Sequence, residues 1–262
     1  MRPQSKVRIT IKGRIIGGPR PLICLPLMAG DRTALMEQAA TIASLKPDMI
    51  EWRADAFDRV TDTASAGQAL RTLHARCQAL PLIFTCRAAA EGGRQALAPE
   101  TRLALYQMAI RSGQVDLIDI ELSSGDATIQ TLRPMCRSAG VKLVLSYHNF
   151  DLTPGRDVLR RKLQQAEKAG ADIAKIAVMA QDGHDVLTLL QAAWEARSRY
   201  LTIPLIAIAM GAQGAITRIA GGQFGSDITF ARGLKSSAPG QPGIEALRMA
   251  WSLLPWQNEP SA

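Results

Sequence analysis

Residues 142–179 read KLVLSYHNFDLTPGRDVLRRKLQQAEKAGADIAKIAVM. The β-rich run Lys142–His148 gives way to a helical pattern over Arg156–Ala169, and a second apolar run, Ile173–Met179, follows. Such alternation argues for parallel strands joined by crossover helices. The unit recurs along the chain from about residue 20 onward. Candidate strands fall at Leu22–Leu27, Met49–Ala54, Leu82–Arg87, Val115–Glu121, Lys142–His148, Ile173–Met179, Ile203–Met210 and Phe224–Phe230. Helical patterns lie between them, as at Thr33–Leu45, Ala64–Cys77, Pro99–Ser112, Ala127–Ala139 and Asp185–Ser198. Eight βα units in about 240 residues fit a closed barrel better than an open sheet, so the expected fold is a (β/α)8 TIM barrel of the α/β class.

The competing doubly wound sheet would carry a Gly-rich phosphate loop after its first strand. Here Met28-Ala29-Gly30-Asp31 follows that strand, without a GxGxxG. No linker, low-complexity tract or repeat divides the chain, so residues 1–262 are expected to form a single catalytic domain. Within it, residues 1–20 form an N-terminal extension. The run Lys6–Ile16, turning at Lys12-Gly13, reads as a hairpin that closes the barrel bottom, and residues 256–262 as a flexible tail.

The chain has 262 residues, 47% hydrophobic but only 5% aromatic, so the core must be aliphatic. Mean hydropathy is near zero. No apolar run reaches the roughly 18 residues needed to span a bilayer. The N-terminal MRPQSKVRITIKGR lacks the apolar stretch of a secretory signal, so a cytoplasmic location is expected. Cys24, Cys77, Cys86 and Cys136 have no CxxC spacing and read as buried free thiols. His74, His148 and His184 also lack metal-ligand spacing, so no metal is expected. The net charge of +8 comes from scattered Lys and Arg, with no basic tail and no basic–aromatic run. It suits a small anionic substrate and needs neither nucleic acid nor membrane.

Charges inside barrel strands are costly unless paired or used, and polar residues at the C-terminal strand ends of this fold read as active site. Glu51, Arg53 and Asp55 alternate with Trp52 and Ala54, which puts the three on one face. Glu51 and Arg53 are read as pointing into the barrel mouth. Arg87 ends the third strand, and Glu91 follows in a loop with Gly92-Gly93. Asp119 and Glu121 share a face and either do acid–base work or neutralise lumen cations; the second is preferred. His148 ends the fifth strand and suits proton transfer near neutrality. Lys175 sits amid Ile, Ala and Val in the sixth strand. Desolvation there depresses an amine pKa and frees a nucleophile, unless the lysine is simply paired with a lumen carboxylate. After the seventh strand, the segment from Met210 to Arg218 reads as a Gly-containing loop leading to an arginine suited to a carboxylate. Residues 236–241 read as a lid. These parts fit imine catalysis, in which Lys175 attacks a ketone and His148 moves the α-proton and then protonates a departing β-hydroxyl. No cofactor is needed for it.

Glu51-Trp52-Arg53-Ala54-Asp55, Thr85-Cys86-Arg87 with Glu91-Gly92-Gly93, Asp119-Ile120-Glu121, Ser146-Tyr147-His148-Asn149-Phe150, Lys175-Ile176-Ala177 and Ala238-Pro239-Gly240-Gln241 together resemble type I 3-dehydroquinate dehydratase, from about Pro21 to Leu254. The resemblance implies loss of water from 3-dehydroquinate to give 3-dehydroshikimate in the shikimate route, and a homodimer. It makes Lys175 the Schiff-base residue, His148 the acid and base, and Glu91 its orienting carboxylate. It also makes Arg218 the carboxylate grip, with Glu51, Arg53, Arg87, Ser237 and Gln241 binding substrate or lid. Two positions depart from the pattern: Thr217 replaces an expected serine and Pro26 stands where some members carry serine. The rival readings are a class I Schiff-base aldolase, which needs a phosphate cradle, and a nucleic-acid-binding protein without turnover.

Overall fold

A computed structural model describes residues 2–234, 236–254 and 256. The chain opens with the expected hairpin, β1 (Ile9–Ile11) and β2 (Arg14–Ile16) paired antiparallel. Lys12 and Gly13 take φ of 47° and 75°, the left-handed values of a two-residue hairpin turn. Eight parallel strands follow: β3 (Leu22–Leu27), β4 (Met49–Arg53), β5 (Leu82–Thr85), β6 (Leu117–Glu121), β7 (Lys142–Asn149), β8 (Ile173–Met179), β9 (Leu205–Met210) and β10 (Ile228–Phe230). They run in the order β10-β3-β4-β5-β6-β7-β8-β9. The seam between β9 and β10 is held at its base by Asp227: its N–H donates to Leu205 O, and its Oδ2 accepts from Leu205 N at 2.8 Å. The α/β barrel expected from the sequence is therefore the fold observed.

The helices α1 (Arg32–Ser44), α2 (Thr63–Arg76), α3 (Pro99–Arg111), α4 (Asp126–Ala139), α5 (Arg156–Lys168), α6 (Gly183–Glu195), α7 (Gly211–Ala220) and α8 (Ile244–Ser252) ring the strands. Their starts follow local chemistry. Asp31, Asp62 and Asp182 accept hydrogen bonds from first-turn amides, and Pro99 opens α3, where its missing N–H costs nothing. Among the described residues, no helix is long and apolar enough to cross a membrane.

Period-two alternation splits each strand between two cores. Trp52, Ile118, Leu145 and Ile176 face the helices, and edge-to-face contacts link Trp52 to Phe84 and Phe84 to Tyr106. The lumen is apolar in its lower half: Leu22, Met49, Ile83, Leu117, Ile173, Ile206 and Ile228 gather there with Ile9 and Ile16 of the hairpin. The hairpin thus plugs the bottom of the barrel. Arg2, buried beside it, is ion-paired to Asp227, which also binds Arg197 at 2.5 Å. Lys12 ties the hairpin turn to Asp116 at 2.8 Å.

Three segments differ from the sequence expectation. The stretch after β9, expected as a loop, is the helix α7. Gly211 takes φ of 84°, and a Cβ on Gly214 would lie 2.4 Å from the Ala209 carbonyl, so these glycines let a helix start hard against its strand. The last strand starts at Ile228 rather than Phe224, because residues Gly221–Phe224 wind into a 3-10 turn closed by Gly225 at φ 101°. Trp256, assigned to the tail, is half-buried, edge-on to Trp251 at 5.4 Å, and donates to Trp251 O. The rest of the expected tail lies outside the described residues.

Truncating the plug tests its weight. Ile16→Ala should destabilise the fold by about 2–5 kcal/mol, read as a lowered urea midpoint, and an unchanged midpoint would show that the hairpin does not brace the barrel.

Candidate active site

The upper half of the lumen is polar. A cavity opens there, at the C-terminal ends of the strands, and its wall contains Glu51, Arg53, Arg87, Glu91, His148, Lys175, Arg218, Ser237 and Gln241. The fold thus brings all nine residues selected from the sequence around one space. Phe150, Met210 and Phe230 supply apolar wall between them.

Lys175 projects inward from β8 and is 5% exposed. Its Nζ lies 2.6 Å from Asp119 Oδ2 and 4.6 Å from the centre of the Phe230 ring. Of the two arrangements open from the sequence, the paired lysine is the one observed. Asp119 also binds Arg87 at 3.0 Å and accepts from Ser146 Oγ at 2.6 Å. Burial opposes ionisation of Asp119, but Arg87 and Lys175 outweigh it and hold the carboxyl well below the usual range. Arg87 donates further to Glu121 and Ser146, each at 2.8 Å, and Glu121 is shared with Arg102. Asp119 and Glu121 therefore neutralise lumen cations, the preferred sequence reading.

His148, at the end of β7, is displaced by two residues from Ser146, the partner of Lys175 in the strand register, and so shares its face. Glu91 Oε2 accepts from the His148 backbone N–H at 2.8 Å and lies 3.0 Å from Nδ1. An oxygen already accepting an amide N–H favours Nδ1 as donor too, which leaves Nε2 as the basic atom of the ring. Burial and the nearby Arg87 and Lys175 charges pull the His148 pKa well below its usual value, against Asp119. The imidazole is thus neutral at neutral pH. Glu91 shifts upward through burial and through Glu121, opposed by a hydrogen bond from Ser123.

Arg53 grips Asp55 with two bonds, from Nε at 2.9 Å and from a terminal nitrogen at 2.8 Å. Asp55, read from the sequence as part of strand two, lies in a 3-10 turn after β4, yet is fully buried. Glu51 accepts from Thr85 at 2.8 Å and has no basic partner among the described residues. Ser237 and Gln241 bind each other twice, at 2.8 and 2.9 Å, which clasps the segment expected to be a lid.

Arg218 differs from the other cations. It is 1% exposed on α7 and, among the described residues, donates only to the carbonyls of Phe230 and Pro239, each at 3.1 Å. Its Nε has no partner, and no carboxylate pairs with it among the described residues. Burial alone pulls its pKa down to about 10. A buried guanidinium without a counter-charge is a ready seat for an anion.

The two departures are structural. Thr217 directs its hydroxyl into the junction of α7 and β9, accepting from Ala209 N and donating to Gly214 O, away from the cavity. Pro26 lies beyond the last residue of β3 paired with β10, where a missing N–H is tolerated. Sequence reading missed Ser123, Arg102 and Phe230. Ser123 alternates with Glu121 and follows it by two residues, the one hint available; Arg102 and Phe230 carry no local signal.

A family model described as type I 3-dehydroquinase matches residues 23–255. The 3-dehydroquinate dehydratases of Geobacillus thermodenitrificans and Albidiferax ferrireducens are each 44% identical, over 95% and 96% of this chain and 97% and 96% of theirs. The crystal structure of 3-dehydroquinate dehydratase from Geobacillus kaustophilus superposes with a TM-score of 0.93 at 42% identity, covering 97% of this chain and 98% of that one. The Clostridium difficile type I enzyme, solved with covalent modified comenic acid, gives 0.91 at 34% identity over 94% and 97% of the two chains. Sequence motifs, barrel and relatives agree, and the chain belongs to the type I 3-dehydroquinase family.

Proposed function

We propose that this chain, acting as one catalytic domain, dehydrates 3-dehydroquinate to 3-dehydroshikimate through a Schiff base on Lys175, with His148 as acid and base. The observation that carries the reading is the buried Arg218, unmatched by any described carboxylate, in the wall that also presents Lys175 and His148. Among the described residues the lumen's charges are ion-paired except at that seat, at Glu51 and at Glu91, whose partner His148 is neutral, so the site suits a polar substrate bearing one carboxylate.

The steps follow from the groups present. Lys175 Nζ first passes a proton to solvent water, which returns it to the departing ketone oxygen, since the free amine is the nucleophile. It adds to the substrate ketone, and loss of the ketone oxygen as water leaves a protonated imine. Asp119 stays beside that positive charge. The iminium draws electrons from the adjoining carbon, and His148 Nε2, neutral and oriented by Glu91, removes the α-proton. The resulting enamine expels the β-hydroxyl, to which the imidazolium returns the proton, making water. A second water hydrolyses the imine and frees the lysine. The Clostridium difficile relative with its covalently modified comenic acid is in keeping with a covalent step. Arg53 and Arg87, both held by carboxylates, shape the wall, while Glu51, Ser237 and Gln241 offer polar groups to the ring hydroxyls. The resemblance also supports a cytoplasmic homodimer. Leu187, Trp194, Ile216 and Met249 stand exposed on the successive helices α6, α7 and α8.

Borohydride reduction in the presence of 3-dehydroquinate should add the dehydrated substrate to Lys175, mapped by mass spectrometry, and Lys175→Ala should lose both labelling and turnover. Labelling at another lysine, or labelling by sugar phosphates instead, would refute the assignment and favour an aldolase. His148→Ala should still form the imine while kcat falls by about 10²–10⁴-fold; near-normal turnover would remove its acid–base role. Arg218→Gln should raise KM by tenfold or more, the loss of a charged hydrogen bond worth about 1.5–3 kcal/mol, with the thermal midpoint of the free protein held or raised. An unchanged KM would place the substrate carboxylate elsewhere.

A further inference from the structure

The turn that follows β6, residues Leu122–Ser124, presents two hydroxyls to two buried carboxylates. Ser124 Oγ lies 3.3 Å from Glu121 Oε2, and Ser123 Oγ donates to Glu91 Oε1 at 2.5 Å. Ser123 is exposed in the turn and does not line the cavity, yet it touches the carboxylate that holds the histidine. Glu91 then has both oxygens committed, Oε1 to Ser123 and Oε2 to the His148 backbone and Nδ1. We propose that Ser123 is a positioning residue for the reaction assigned above, the outermost member of a Ser123–Glu91–His148 chain whose hydroxyl fixes Glu91 as an acceptor and thereby fixes which nitrogen of His148 is basic.

The surroundings explain why such a donor is needed. Glu91 is buried and faces Glu121 on β6, and both conditions favour its protonated form. Against them stand Arg87 beyond the end of β5, the amide of His148 on β7, and Ser123. A protonated Glu91 would have to turn its own O–H outward or lose one of its donors. The His148 ring would then no longer be held with Nε2 free. The Ser123 hydroxyl stabilises the ionised form, so removing it raises the Glu91 pKa. Activity disappears as pH falls through that pKa, and the acid limb of the profile therefore moves to higher pH.

The inference rests on the dehydratase reading, so the experiment uses two readouts, one independent of turnover. In Ser123→Ala, kcat should fall roughly tenfold while KM changes by less than about twofold. Its acid limb should move upward in pH, Ser123→Thr should restore both, and borohydride labelling of Lys175 should persist. In the free protein, nitrogen NMR should find His148 protonated at Nδ1, with loss of this form on acidification occurring at higher pH in Ser123→Ala than in the unsubstituted protein. Coincident NMR midpoints, or a pH profile unmoved by Ser123→Ala, would overturn the proposal. If the unsubstituted protein neither labels nor turns over with 3-dehydroquinate, the dehydratase reading fails, and the NMR comparison still decides the role of Ser123.

Discussion

An ionised group in a water-poor tube must find a counter-charge or remain an energetic liability, and the upper lumen of this barrel is arranged around that requirement. Arg53 has Asp55, Arg87 has Asp119 and Glu121, Arg102 has Glu121, and Lys175 has Asp119. The pairs couple across strands: Asp119 on β6 is held in common by Arg87 after β5 and Lys175 on β8, with Ser146 of β7 between them. The chemistry is local, but its geometry belongs to four neighbouring strands at once. Against this background Arg218 stands out, and the substrate reading follows from what it lacks.

Much of this was legible from residue order. Two-residue alternation in Glu51-Trp52-Arg53 assigns the charges to the lumen, and Glu51 and Arg53 do line the cavity while Trp52 packs on the helix side. The same logic found Asp119 with Glu121 and placed Lys175 inside a strand. What stayed hidden was pairing across the barrel. A linear sequence shows Lys175 among aliphatic neighbours, whereas its nearest charged atom comes from a strand 56 residues earlier. For that reason residue order left open whether the amine is bare or paired, and the fold pairs it with Asp119. The segment after β9 was misread for a different cause. Its glycines suggested a loop, but they serve close approach between α7 and the end of its strand, which depends on tertiary contact.

The two halves of the lumen divide labour. Below, Ile, Leu and Met side chains from the strands close on the hairpin with no charge among them. Above, polar and ionised groups together outnumber apolar ones around the cavity. An aliphatic floor of this kind keeps water from reaching the charged layer from beneath, which strengthens each interaction in it. Stability is thus concentrated at one end of the strands and reactivity at the other, the separation this architecture favours.

Arg2 has a practical bearing. Its guanidinium is buried beside the hairpin, bound to Asp227 and to the carbonyls of Gly18, Gly222 and Ser226, near the seam where β10 meets β9. Arg2 therefore acts as a wedge in the closure of the cylinder. A change that removes the Arg2 guanidinium would leave Arg197 as the sole basic partner of Asp227 among the described residues.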